Sequence, residues 1–333
     1  MRILVLGGTK FIGPHVVRGL VERAHDVTMF HRGQTEADLP AVVRHVHGDF
    51  ANFSEHVAPL RALEPEVVLD MVPFREEDVQ RLKSFKSVAR RVVTISSGDV
   101  YRAFGRIWRT EPGPPDPVPL TEDSPLREKL SNAGLDYNKT AVEHGLLEDR
   151  DLVSTIIRAP ATYGPCDPQH RLFQYIKRMN DKRPVILLEQ SMAQWRWARG
   201  YVEDVAQAIV LAATDERAAG RIYNVAAPEA LSEEEWVREI GNVLGWRGEV
   251  VSAPMDKLPV SFRHQFDLTQ QYAVDSTRIR RELGYAEIIP FTQGLRKTIE
   301  WERANPPANL GHDKFDYEEE NEALAKINGK DKR

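Results

Sequence analysis

Three glycines, Gly7, Gly8 and Gly13, stand between the apolar run Arg2–Leu6 and a segment in which Val16, Val17, Leu20 and Val21 recur at helical spacing. A strand that breaks into such a turn and opens a helix presents free N–H groups and a positive dipole end to an anion. The chemistry this suits is gripping the pyrophosphate of a dinucleotide. Gly7 allows the tight turn, and Gly13 allows close packing of helix on strand. The turn residues Thr9, Lys10, Phe11 and Ile12 are expected to complete the cradle, with Lys10 in right-handed torsions and its ammonium aimed at a phosphate. Near the end of the second strand the sequence reads Phe30-His31-Arg32-Gly33. A carboxylate there would bind ribose hydroxyls, whereas Arg32 suits a 2′-phosphate, so NADP is expected over NAD, with His31 beside it. Asp49 is placed to accept a bond from the adenine amine. Further on, Arg196 and Arg199 flank Trp197, a combination suited to gripping a diphosphate and stacking a base or sugar. The ten histidines show no metal-ligand spacing, so no metal site is expected.

The elements that must position these groups follow from pattern and length. A chain of 333 residues suits two lobes or one domain with a large insertion. Short apolar runs at 2–6, 26–33, 64–73, 89–101 and 152–160 alternate with helical or loop segments. This predicts an α/β fold, a Rossmann-type doubly wound parallel sheet with a smaller α/β C-terminal substrate lobe. The expected division is a dinucleotide-binding unit at 1–162, to which 198–226 returns. A substrate lobe follows at 163–197 and 227–305, with a charged tail at 306–333, helical in part or disordered. The proline-rich stretch 105–126 reads as a long surface loop. A helix is expected over about 136–149, and another over 232–246, where Ser232 and Glu235 form a capping box.

The net charge of −5 argues against a general attraction to nucleic acid or anionic lipid. The single cysteine, Cys166, excludes an internal disulfide and fits a reducing compartment. No apolar run reaches the roughly 18 residues of a membrane span. A cytoplasmic, membrane-free protein is expected.

The segments "GGTKFIG", "VVTISSGDVY", "RAPATYGPCDP", "GYVEDVAQAI" and "DSTRIRRELGY", in this order, resemble the extended short-chain dehydrogenases/reductases, the NAD-dependent epimerase/dehydratase group. The lysine in the glycine turn is most similar to an atypical branch that includes the chloroplast stem-loop-binding proteins. The resemblance spans residues 1 to about 303. It implies a Ser or Thr after the fifth strand, a Tyr, and a Lys four residues beyond that Tyr. In the family the Lys lowers the tyrosine pKa and holds the nicotinamide ribose, while the Tyr exchanges a proton as hydride moves.

Ser97 matches the Ser/Thr position, but Tyr137 and Lys139 are two apart. On a regular helix that sets them about 200° apart, against about 40° for a spacing of four. Two alignments stand. Either Lys139 fills the lysine slot, with Glu143 beyond it and Leu135 in the tyrosine slot, or Tyr137 fills the tyrosine slot and Ala141 replaces the lysine. The first is preferred, since Tyr137 at the helix entry can swing toward the site; the alternative for Tyr137 is an aromatic packed against the long loop. Family dehydratases carry an Asp-Glu pair where this chain has Gly98-Asp99. Asp99 is therefore a candidate acid or base, and epimerisation or reduction is expected before dehydration.

The resemblance also implies Tyr163 beside the nicotinamide and substrate contacts from Arg196, Trp197 and Arg199, with Arg263 and His264 as weaker candidates. It implies a nucleotide-sugar substrate and a homodimer, and leaves two other functions open. One is a cofactor-retaining protein that binds RNA or a protein partner without turnover, although nucleic acid is disfavoured by charge. The other is a small-carbonyl reductase.

Overall fold

The computed structural model describes residues 1–35, 37–130, 136–309 and 315–329. In chain order its strands are β1 (Arg2–Leu6), β2 (Asp26–His31), β3 (Arg44–His47), β4 (Val67–Asp70), β5 (Arg91–Ser97), β6 (Ser154–Ala159), β7 (Ala161–Tyr163), β8 (Val185–Glu189), β9 (Arg199–Tyr201), β10 (Ile222–Asn224) and β11 (Glu249–Ala253). Seven of them form one sheet in the order β10-β6-β5-β4-β1-β2-β3. Every pairing in it is parallel. β4 is central, and the chain reverses its direction of travel between β1 and β4. That is the switch point at which open α/β sheets bind ligands beyond the strands' carboxyl ends.

Alternation along each strand assigns the two faces. Ile3 and Val5 join Val16, Val17, Leu20 and residues of the Val202–Thr214 helix in one core. Leu4 and Leu6 point the other way, among Phe53, Leu60, Leu82, Val142 and Leu146. Both faces are therefore covered, as a fully parallel sheet requires. β7 pairs with β9, and β8 with β11, outside the main sheet. A second core surrounds them, with Tyr163, Ile176, Ile186, Leu188, Trp236 and Ile240. The Glu233–Leu244 helix begins in the expected capping box, Ser232 with Glu235, and ends at Gly245 in the left-handed region.

The stretch 105–126 is largely the expected surface loop, with its prolines exposed, but a few of its residues turn inward. It opens within a short helix, Arg102–Ile107, and Glu111, Asp116 and Glu122 are buried while Asp123 is exposed. Glu111 Oε1 accepts the N–H groups of Glu128 and Lys129 at 2.7 Å each. Glu122 Oε1 accepts the N–H of Asn224 at 2.9 Å. Leu120 packs with Tyr101, Trp195 and Tyr272. Backbone donors that satisfy Glu111 and Glu122 explain how these carboxylates can be buried. Near the C-terminus, the Tyr317–Ile327 helix docks through Glu320, which pairs with Arg178 at 2.7 Å.

One polar cluster ties the sheet to the segment above it. Glu143, fully buried on the Lys139–Leu147 helix, pairs with Arg158 of β6 at 2.7 Å and accepts the Ser96 hydroxyl of β5. Arg158 also donates to the Tyr101 hydroxyl at 3.0 Å and to the Glu122 carbonyl at 2.9 Å. Removing one partner of such a pair strands a buried charge, which costs about 3–5 kcal/mol. Glu143→Ala is expected to lower unfolding free energy by that amount in urea titration. The paired replacement Glu143→Leu with Arg158→Met is expected to lose less than the single variant.

Candidate functional site

The glycine turn is set by two backbone requirements. Gly7 and Gly8 sit at φ +81° and +85°, and a Cβ on Gly13 would lie 2.2 Å from the Gly8 carbonyl oxygen. Lys10 is exposed and keeps a negative φ, as expected, while Phe11 takes the positive φ of 50°. The Ile12–Glu22 helix starts there without a side-chain cap; in its first turn Gly13 N–H donates to the Lys10 carbonyl at 3.0 Å and Pro14 carries no N–H. Thr9 is fixed by a 2.9 Å hydroxyl contact with Thr35.

A cleft of about 880 Å³ opens over this turn. Its walls include the predicted Gly7, Thr9, Lys10, Phe11, Ile12, Gly13, His31, Arg32, Asp49, Ser97, Tyr137 and Lys139. At one end Arg32 is exposed and makes no ion pair among the described residues. Asp49 holds the Ala51 N–H through Oδ1 at 3.0 Å. These features fit a dinucleotide: an uncapped helix N-terminus, a cradle that a Cβ at Gly13 would fill, and an arginine without a carboxylate partner.

At the other end the two-residue spacing resolves itself. Asn138, in extended backbone at φ −130°, caps the helix, which begins only at Lys139. Its N–H donates to the Phe74 carbonyl at 2.7 Å. Tyr137 therefore precedes the helix and reaches the cleft together with Lys139. Leu135, which the preferred alignment puts in the tyrosine slot, lies outside the described residues.

The Tyr137 hydroxyl bonds to the Asp99 carboxyl and to Ser97. The Ser97 hydroxyl in turn accepts the Asp99 N–H at 3.3 Å. Lys139 is buried, donates to the Ile95 carbonyl at 2.8 Å, and lies 4.6 Å from the Phe74 ring centre. Desolvation pushes its pKa down to about 8, against the pull of Asp99 and Asp70. Desolvation, reinforced by the Asp99 charge, pushes Tyr137 up. Asp99 is also raised by burial.

This reverses the electrostatics that the resemblance implies, in which lysine lowers the tyrosine pKa. Here burial pushes the phenol up first, and the Asp99 carboxyl beside it acts in the same direction.

The remaining expectations fare differently. Tyr163 does not line the cleft; its ring is buried in the second core, 5.0 Å from Trp236 and 5.6 Å from Tyr201. Arg196 pairs with Glu235 at 2.9 Å, and Trp197 lies against Trp195 at 5.2 Å. Arg199 is only 5% exposed, pairs with Glu233 at 2.7 Å and lies over Trp236 at 4.7 Å. Its Nε and Nη1 are nonetheless buried without a hydrogen-bond partner. His264 stacks on Phe266 instead of facing the cleft.

Sequence reasoning missed Arg81, which lines the cleft and pairs with buried Asp70 at 3.1 Å. The charged end of the apolar run "VVLD" was the available signal. It also missed a histidine cluster: His31, His45 and His47 bring one ligand nitrogen each to within 4.8 Å of one another. Spacing along the chain hid it, because the cluster forms across two strands.

A model described as "NAD dependent epimerase/dehydratase family" matches residues 3–226. The chain belongs to this family. Among its relatives, the uncharacterized protein y4nL of Sinorhizobium fredii is 28% identical over 55% of this chain. The chloroplast stem-loop binding protein of 41 kDa b of Arabidopsis thaliana is 23% identical over 88%, and a dTDP-glucose 4,6-dehydratase of Streptomyces griseus is 31% identical over 70%. The alignments span 56%, 77% and 66% of these relatives' own lengths.

Two solved structures share the fold. The UDP-glucose 4-epimerase of Thermotoga maritima, solved with UDP-glucose, has a TM-score of 0.69 at 19% identity, covering 91% of this chain and 99% of that one. The dTDP-glucose 4,6-dehydratase of Bacillus anthracis, solved with NAD, has a TM-score of 0.68 at 18% identity, covering 92% and 97%. No described helix is long and apolar enough to cross a membrane.

The depressed Lys139 pKa makes stability depend on pH. The unfolded chain holds this proton up to about 10.5 and the folded chain only to about 8, so the unfolded state binds more protons between these values. Stability of the native sequence, measured against a Lys139→Met variant in urea titrations, is expected to rise as pH goes from 8 to 10.5. A flat difference across that window would show that Lys139 is not desolvated.

Proposed function

We propose that this protein is an NADP-dependent epimerase/oxidoreductase acting on a nucleotide-activated sugar through transient hydride transfer. The observation that carries the reading is the meeting of Ser97, Tyr137 and Lys139, with Asp99 buried against the phenol, at one end of a cleft whose other end is the glycine turn. A bound nicotinamide would take a hydride from a sugar carbon and give it back. The chain's own groups do the rest. Helix N–H groups hold the pyrophosphate, Arg32 holds the 2′-phosphate, and Lys139 orients the ribose. Ser97 polarises the sugar oxygen, and the Tyr137–Asp99 pair takes and returns its proton. Arg199, with two donor nitrogens uncommitted, is suited to the substrate diphosphate, helped by Arg196 and Trp197.

Residues 1–162 with 198–226 are read as the cofactor unit, 163–197 and 227–305 as the substrate lobe, and the working form as a cytoplasmic homodimer. The relatives named for nucleotide sugars support the substrate class. The NAD in the Bacillus anthracis structure leaves the preference for NADP resting on Arg32.

Denaturing the purified protein is expected to release NADP, and a nucleotide-sugar panel is expected to contain one sugar that it converts. Tyr137→Phe should lower that turnover by about 100-fold or more, the usual contribution of a placed acid/base. Full activity in Tyr137→Phe would remove the phenol from the chemistry. Arg32→Ala should weaken NADP binding about tenfold, equivalent to 1.4 kcal/mol, and leave NAD binding within twofold by calorimetry.

A second reading is favoured by the Ile95 carbonyl that already occupies the Lys139 ammonium, and by the likeness to the stem-loop binding protein: cofactor retention without turnover. A cofactor-loaded protein inactive on every sugar, yet retaining RNA on filters with steep salt dependence, would establish it. NADPH oxidation by a small carbonyl compound, with no nucleotide requirement, would instead indicate a simple reductase.

A further inference from the structure

β3 is the edge strand of the main sheet and runs parallel to β2, with His31 opposite His47 and Met29 opposite His45. Side chains two apart on a strand share a face, and so do register partners. His31, His45 and His47 therefore project from one face of the sheet. His31 is buried, while His45 and His47 are exposed at the edge. The His31 and His45 rings are joined Nε2 to Nδ1 at 2.7 Å, and the His31 and His47 ring centres are 4.8 Å apart. The three ligand nitrogens all fall within 4.8 Å of one another.

We propose that these three imidazoles form a binding site for one divalent cation of borderline softness, such as Zn²⁺, Co²⁺ or Ni²⁺. Neutral imidazole is the ligand such ions prefer, and three of them leave a fourth tetrahedral position to water. A tetrahedral ion about 2.1 Å from each nitrogen holds the nitrogens about 3.4 Å apart, which lies between the contacts already present. The ion takes the place of the proton between His31 Nε2 and His45 Nδ1, and that proton moves to His31 Nδ1, so the 3.2 Å bond that Gly33 N–H donates there is given up. Gly33 has the freedom for this, since it stands at φ +70° in a turn. Two ligands already lie at the surface, so an ion can enter without opening the core. The proposal is independent of the enzymatic reading, because it requires neither nucleotide nor turnover.

The test uses the full untagged chain, stripped with a chelator and titrated with Co²⁺. One equivalent is expected to bind and give the intense visible bands of a tetrahedral cobalt–nitrogen site, which Zn²⁺ then abolishes by displacement. His45→Ala and His47→Ala are each expected to weaken Co²⁺ binding roughly tenfold or more, while His264→Ala leaves it within twofold. Both edge variants change exposed residues, and unchanged thermal melting shows that they remain folded. His31 is left intact because it also lines the nucleotide cleft. Absence of saturable one-to-one binding overturns the proposal and leaves the rings as a stacked edge cluster. Binding that survives both edge variants, or that His264→Ala removes, overturns it as well.

Discussion

The constraint on which the rest depends is the approach of the first helix to the first strand at Gly13. No side chain can stand between that residue and the Gly8 carbonyl, since a Cβ there would sit 2.2 Å from the oxygen. This closeness aims the helix N-terminus at the switch point of the sheet and leaves its N–H groups without side-chain partners. Lys10 does not disturb it. The turn's unusual torsion falls on Phe11, and the lysine stays outside in solvent.

The end of the cleft that holds Ser97, Tyr137 and Lys139 rests on a different support. Glu143 and Arg158 anchor the Lys139–Leu147 helix to the sheet from below, and Asn138 bends the chain just before it. These two features put a phenol and an ammonium two residues apart into one cavity, which no continuous helix could do. The phenol's hydrogen-bond partners are the Asp99 carboxyl and Ser97. The lysine is left to the neighbouring carbonyl of Ile95 and the Phe74 ring.

Much of this was legible in the residues themselves. Apolar runs of strand length, broken by glycines and separated by helical spacing, announced the sheet, because local pattern and tertiary role agree there. The glycine turn, Arg32 and Asp49 were legible for the same reason. What could not be read depended on partners distant in sequence. The 105–126 segment is the surface loop its prolines suggest, but Glu111 and Glu122 turn inward because they meet backbone N–H groups from elsewhere. Tyr163 looked like a cleft residue, but the second core claims its ring through Trp236 and Tyr201. The histidines escaped notice because strand register, not spacing, brings them together.

Phe11 and Ile12 belong to the phosphate turn, yet both also pack against the second core. The turn is thus clamped between two hydrophobic masses contributed by widely separated parts of the chain. Its shape is acquired when the protein folds, before any ligand arrives, so the entropy of arranging the loop is not charged to the binding step. A nucleotide meets a receptor already cast, and loosening of the far lobe would be felt at its phosphates.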